Sequence, residues 1–171
     1  MHRTEERPLA IARWIDTDLH ESLDETLRYR SARLFAVNIT DDGFTRELID
    51  CDPDPYELLT RLPSAPALDA ACLVMTGWMS RVRDDDDDDD DDNDESDDNE
   101  TNFDEPDDGP ERFRVRVVAV VEDQGVGVVV RRWTDEGVSD SFADGGEGMF
   151  PDALTAWWSA YRALRTPRED R

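Results

Sequence analysis

The chain contains no lysine: all 19 of its basic residues are arginine. That absence excludes whole chemistries. A P-loop needs its phosphate-binding lysine, and the Schiff-base enzymes need the amine. A GC-rich codon bias explains the all-arginine usage without any functional cause. Histidine is almost missing too, with only His2 and His20 present. The two cysteines, Cys51 and Cys72, make no disulfide framework and lack CxxC spacing, so both are expected to stay reduced inside a cell. No apolar run approaches the length of a membrane span. The first residues, MHRTEERPLAIARW, lack the apolar centre of a signal peptide. Together these features predict a soluble cytoplasmic protein.

Acidic residues are what the chain has in excess: 44 against 19 arginines, for a formal charge of −25. The excess is concentrated. Of the 44 acids, 18 lie between Asp84 and Gly109, where there is no base, so the rest carries 26 acids against 19 arginines, a net of −7. Nine consecutive aspartates, Asp84 to Asp92, open this tract. Like charges at that density repel and bury no apolar area, so residues 84–111 are expected to be a disordered insertion. An acidic surface of this kind argues against direct binding to DNA, RNA or anionic membranes.

The 171 residues suffice for one domain with a sizeable core. Pro8–Ile15 reads as a short helix. Asp18 followed by Glu21 has the form of a capping box, opening a second helix with Leu19, Leu23 and Leu27 inward and its end near Arg30. Ala32–Ile39 and Phe44–Ile49, joined by the loop TDDG, read as a β-hairpin with Ile39 facing Phe44 and Phe35 facing Leu48. Asp54-Pro55 starts a short helix whose inner side is Leu58, Leu59 and Leu62. Leu68–Ser80 reads as a strand buried on both faces.

Beyond the acidic tract, valine-rich runs flank a glycine-containing turn at Glu122–Gly125, a strong hairpin signal. Val121 then faces Val126 and Val117 faces Val130. One face, from Phe113 through Val121 to Val130, belongs in the core. Thr134–Met149 reads as a loop, with a short strand near Val138–Phe142 as the alternative. Leu154, Trp157, Trp158, Tyr161 and Leu164 form the stripe of a last helix beginning at Pro151, and 167–171 is a loose tail. The order predicts a single α+β domain over 1–171, with a mostly antiparallel sheet of about five strands and three or four helices. The strands before and after the acidic tract are expected to pair, which makes the tract a long hairpin connection.

Few residues carry a chemical signature. The tract offers carboxylates for calcium or magnesium, but an EF-hand centred on Gly109 would place Pro106 third and Val115 twelfth, and one centred on Gly43 would place Ile49 twelfth. A flexible aspartate run also lacks the fixed spacing that mimicry of a nucleic acid requires. His20 beside Glu21 reads as a surface pair on a helix. Ser139 and Ser141 in GVSDS do not form the G-x-S-x-G elbow, and Gly125-Val126-Gly127 sits in a hairpin turn, not before a helix. No cofactor and no metal site is implied.

What remains are interaction candidates. Arg112, Arg114 and Arg116 follow the acidic tract, as Arg81 and Arg83 precede it. In the hairpin register Arg116 faces Arg131 and Arg114 faces Trp133. Opposed like charges are unfavourable unless an anion sits between them. That anion is the acidic tract folding back, a phosphate, or an acidic partner; the plainer reading is a polar sheet face with snorkelling arginines, with Arg114 stacked on Trp133. Trp157 and Trp158 point about 100° apart on their helix, so one of them at an exposed edge would make a contact point. The leading expectation is a non-catalytic module that binds another protein through the sheet face or the last helix, the acidic tract tuning solubility and electrostatics. The alternatives are an anion-binding or nucleic-acid-mimic regulator, in which the tract gates the arginine patch, and an enzyme whose site carries no recognised signature.

Overall fold

The computed structural model describes residues 7–22, 32–62, 67–80, 112–134 and 136–165. They form three helices and six strands. In chain order these are α1 (Arg7–Glu21), β1 (Ala32–Thr40), β2 (Gly43–Asp52), α2 (Pro55–Thr60), β3 (Ala70–Ser80), β4 (Arg112–Glu122), β5 (Gly125–Trp133), β6 (Ser139–Asp144) and α3 (Met149–Arg165). All strands join one antiparallel sheet in the order β2-β1-β3-β4-β5-β6. The class is α+β as expected, with a sixth strand where a loop was the main expectation. β6 forms because Ser139–Asp144 pairs along the free edge of β5, although its own side chains are mostly exposed.

Both hairpins keep the register that their apolar alternation predicts. Ile39 pairs with Phe44 and Phe35 with Leu48; a bulge between Leu34 and Phe35 lets β2 carry one extra residue, Ile49. Val121 pairs with Val126 and Val117 with Val130. The turns are tighter than the four-residue loops expected. Thr40 pairs with Gly43 and Glu122 with Gly125, leaving two residues in each turn. Gly43 (φ 137°) and Gly125 (φ 141°) leave those turns in backbone that favours glycine. β3 and β4 pair from Ala71↔Val121 to Ser80↔Arg112, so they are antiparallel neighbours joined by residues 81–111, which lie outside the described residues.

The sheet separates two cores. On one side α1 packs Ile11, Ala12, Ile15 and Leu19 against Phe35, Cys72, Val118, Val120 and Val129. On the other, α2 and α3 bring Leu58, Leu154, Trp157, Trp158 and Tyr161 onto Leu34, Leu73, Ala119, Val121 and Val128. Each fully buried large apolar side chain contributes roughly 1.5–3 kcal/mol of transfer free energy. The alternation of period two along β4 sends odd positions to the α3 side and even positions to the α1 side.

Several expectations are corrected. The two N-terminal helices are one through Glu21: Asp18 lies in its last turn and does not cap a new helix. Its carboxylate pairs instead with Arg46 Nη2 at 2.7 Å. The stripe Ile11, Ile15, Leu19 runs at i, i+4, i+8 across the supposed break, and the sheet covers it throughout. Leu23 and Leu27 fall outside the described residues. Leu62 and Leu164 are exposed, not inward: α2 ends at Thr60, and Tyr161 is the last buried residue of α3. β3 is buried on both faces only from Ala70 to Val74 and opens beyond. Asp54 caps α2 as expected, accepting from Tyr56 N–H at 2.8 Å. α3 begins at Met149, two residues before the expected start at Pro151.

Candidate functional site

The arginine cluster lies on the α1 side of the sheet, and the structure divides it in two. Arg116 and Arg131 are paired across β4 and β5, as the register predicts. They are not snorkelling surface residues. Both are buried, and the anion between them is Asp16 of α1. Arg116 Nη2 reaches Asp16 Oδ1 at 2.6 Å and Arg131 Nη2 reaches Oδ2 at 2.7 Å. Arg116 also donates to the Asp16 carbonyl at 2.8 Å, and Arg131 Nη1 donates to Ser139 Oγ at 3.0 Å. Burial pulls the Arg116 guanidinium below its ordinary range, opposed by its bonds to Asp16. These two arginines are therefore occupied by the protein itself.

The outer part of the cluster is different. Trp78, Arg114 and Trp133 stand side by side on β3, β4 and β5. The Arg114 guanidinium lies 6.0 Å from the Trp133 ring centroid and that of Arg116 lies 5.4 Å from it, so Trp133 is covered by two cations. Among the described residues, neither Arg112 nor Arg114 has a carboxylate partner. Arg81 and Arg83 fall outside the described residues. Trp157 and Trp158 are not at an exposed edge. They are 3% and 4% exposed, with their indole N–H groups donating to the Arg61 carbonyl at 2.8 Å and Asp123 Oδ1 at 3.0 Å.

On the opposite face lies a feature that the sequence pattern does not single out. Between the N-termini of α2 and α3 the sheet surface forms an apolar groove of about 430 Å³. Met75, Val117 and Val130, paired in a row across β3, β4 and β5, lie on its floor. Phe150 stacks on Tyr56 at 5.1 Å and makes one wall. Met149, 72% exposed, stands at the rim; Trp78, 66% exposed, borders the groove by its backbone and points its ring to the Arg114 face. Asp144 and Glu147 contribute charge to the lining, and no basic residue does. Gly77 lies in the floor, paired with Val115, and a Cβ there would meet nothing within 4 Å. A glycine inside an otherwise apolar strand is the one signal in the sequence that could have found this groove.

The remaining candidates resolve simply. His20 is exposed at the end of α1. Ser139 is an acceptor for Arg131 and not a nucleophile held by a base. Gly127 faces the backbone of Pro8 and Leu9, where a Cβ would lie 2.3 Å from the Leu9 nitrogen, so this glycine allows α1 to approach β5. Among the described residues no group of three or more His, Cys, Asp or Glu is placed to hold a metal ion, and no helix is long and apolar enough to cross a membrane. Compared with family models, with curated proteins and with solved structures, the chain finds no match.

Proposed function

We propose that this chain is a non-catalytic protein-binding module whose partner docks in the groove between the N-termini of α2 and α3. One observation carries the reading. The fold places an apolar cavity of about 430 Å³ at its surface, walled by Phe150 and rimmed by exposed Met149. Contiguous exposed apolar surface of this kind marks interaction sites, and aromatic and methionine side chains are enriched where partners meet. The acidic tract, which joins Ser80 to Arg112, then serves solubility and long-range electrostatics. A photo-crosslinking amino acid at position 149 tests the reading in the native host. One protein should be captured, rebind when purified, and be lost when Gly77→Leu fills the floor. Capture indifferent to Gly77→Leu overturns the assignment.

A second reading rests on a separate observation, the absence of carboxylates beside Arg112 and Arg114 among the described residues. In it this patch binds an anion, with Trp133 and Trp78 as flanking aromatic surfaces. Sulfate or phosphate binding that disappears with Arg114→Gln supports it. Identical binding by both proteins excludes it.

A further inference from the structure

The groove's charge and the glycine in its floor together specify what kind of segment fits it. Two glycines lie inside strands of this sheet. At Gly127 the reason is visible: the α1 backbone passes so close that no side chain fits. At Gly77 nothing among the described residues approaches, although glycine in a strand interior costs roughly 0.5–1 kcal/mol relative to alanine. Such a position suits a backbone that arrives from outside.

Charge narrows the identity. Asp144 and Glu147 line the groove and have no basic partner among the described residues. Arg132, the nearest arginine on that face by register, is already engaged by Asp140 at 3.4 Å and lies over the Phe113 ring at 5.1 Å. The segment joining β3 to β4 carries 19 further acids against two arginines. An anionic lipid surface or an acidic ligand would be repelled by this field. The floor row Met75–Val117–Val130 spans two strand spacings, about 9.6 Å. That matches helix side chains at i and i+7, about 10.5 Å apart along the axis.

We infer that the groove takes an amphipathic helix of a partner protein, with its apolar side chains over Met75, Val117 and Val130, its backbone closest at Gly77, and arginine or lysine on its flanks facing Asp144 and Glu147. This rests on the docking reading above and names its occupant.

Four labelled peptides tested against the full-length chain separate the two claims. One carries leucine at i, i+4 and i+7 with arginine elsewhere, the second has glutamine for arginine, the third glutamate, and the fourth is a scramble of the first. The arginine peptide should bind at least about tenfold tighter than the glutamine peptide and the scramble, and the glutamate peptide weakest. Gly77→Leu, where the added side chain has room, should weaken the arginine peptide at least about tenfold without lowering Tm, and Asp144→Asn with Glu147→Gln should narrow the gap between arginine and glutamine peptides. Equal binding of these two peptides by the native protein overturns the charge assignment and leaves the docking reading standing. Binding of the scramble as tight as the arginine peptide, or indifference to Gly77→Leu, means that the tract and not the groove holds the peptide, and overturns both. No binding by any of the four also overturns both.

Discussion

Arg116 and Arg131 face each other across the β4–β5 ladder, and both guanidiniums close on the one carboxylate of Asp16. The pairing joins residues 100 and 115 positions apart and ties α1 to the centre of the sheet. Its geometry also directs α1: with Asp16 between two fixed arginines, Ile11, Ile15 and Leu19 face the sheet and Asp18 falls beside Arg46. Two cations share one anion, so the cluster keeps a net positive charge in a buried place.

Removing that anion should be severe. Asp16→Asn leaves two buried guanidiniums uncompensated and should cost about 3–5 kcal/mol in urea denaturation. Replacing all three members with apolar residues of similar volume should restore most of the loss, because neither charge then needs compensation. Asp16→Asn with unchanged stability contradicts the burial of the cluster.

The two strand glycines should respond in opposite ways. Gly127→Ala drives a methyl group into the Leu9 and Pro8 backbone and should destabilise by about 1–3 kcal/mol, with α1 loosening first in hydrogen exchange. Gly77→Ala meets open space and should leave stability unchanged or raise it by up to about 1 kcal/mol. Equal losses at both positions are inconsistent with the α1–β5 approach.

Tryptophan substitutions distinguish core from surface. Trp157→Ala removes a buried ring stacked on Tyr161 at 5.5 Å and should cost about 3–5 kcal/mol. Trp78→Ala, on the exposed Arg114 face, should change stability by less than about 0.5 kcal/mol. Denaturation curves of the two variants, measured in parallel, decide this.

Cys72 provides a pH test. Complete burial pushes its thiol well above the ordinary range. Below about pH 8.5 the thiol is protonated in both folded and unfolded chains, so its contribution to stability is intact. Above that, the unfolded chain releases the proton and the folded chain retains it. Stability should therefore fall with rising pH, by up to about 1.4 kcal/mol per pH unit. The lack of lysine keeps side-chain amine titrations out of this window. Cys72→Ala should remove this part of the slope; an identical slope in that variant rules the thiol out as its cause.

Much of the sheet is legible in local pattern. Val115, Val117 and Ala119 alternate with Arg114, Arg116 and Val118, and a turn glycine at Gly125 leaves one register in which the apolar positions share a face. The same logic places Ile39 opposite Phe44, and a spacing of three and four identifies the α3 stripe from Leu154 to Tyr161. These readings need only neighbours in sequence. The break expected before Asp18 fails because an acid after a short apolar run resembles a cap, whereas the sheet that covers the Ile11–Ile15–Leu19 stripe and Arg46, the partner of Asp18, come from distant parts of the chain.

The amino-acid order alone thus determined the hairpin registers, the faces of β4, β5 and α3, the α+β class, and the fact that Arg116 meets Arg131. Only the tertiary structure decided which anion lies between those arginines, that β1 sits between β2 and β3, that Trp157 and Trp158 are both enclosed, and that a groove opens over Gly77. The physical reason is range. Register follows from side-chain alternation and turn geometry within a dozen residues, whereas the counter-ion, the strand order and the groove depend on where separate elements stack. Many distant acids could have met Arg116 and Arg131, and packing brought Asp16 to them.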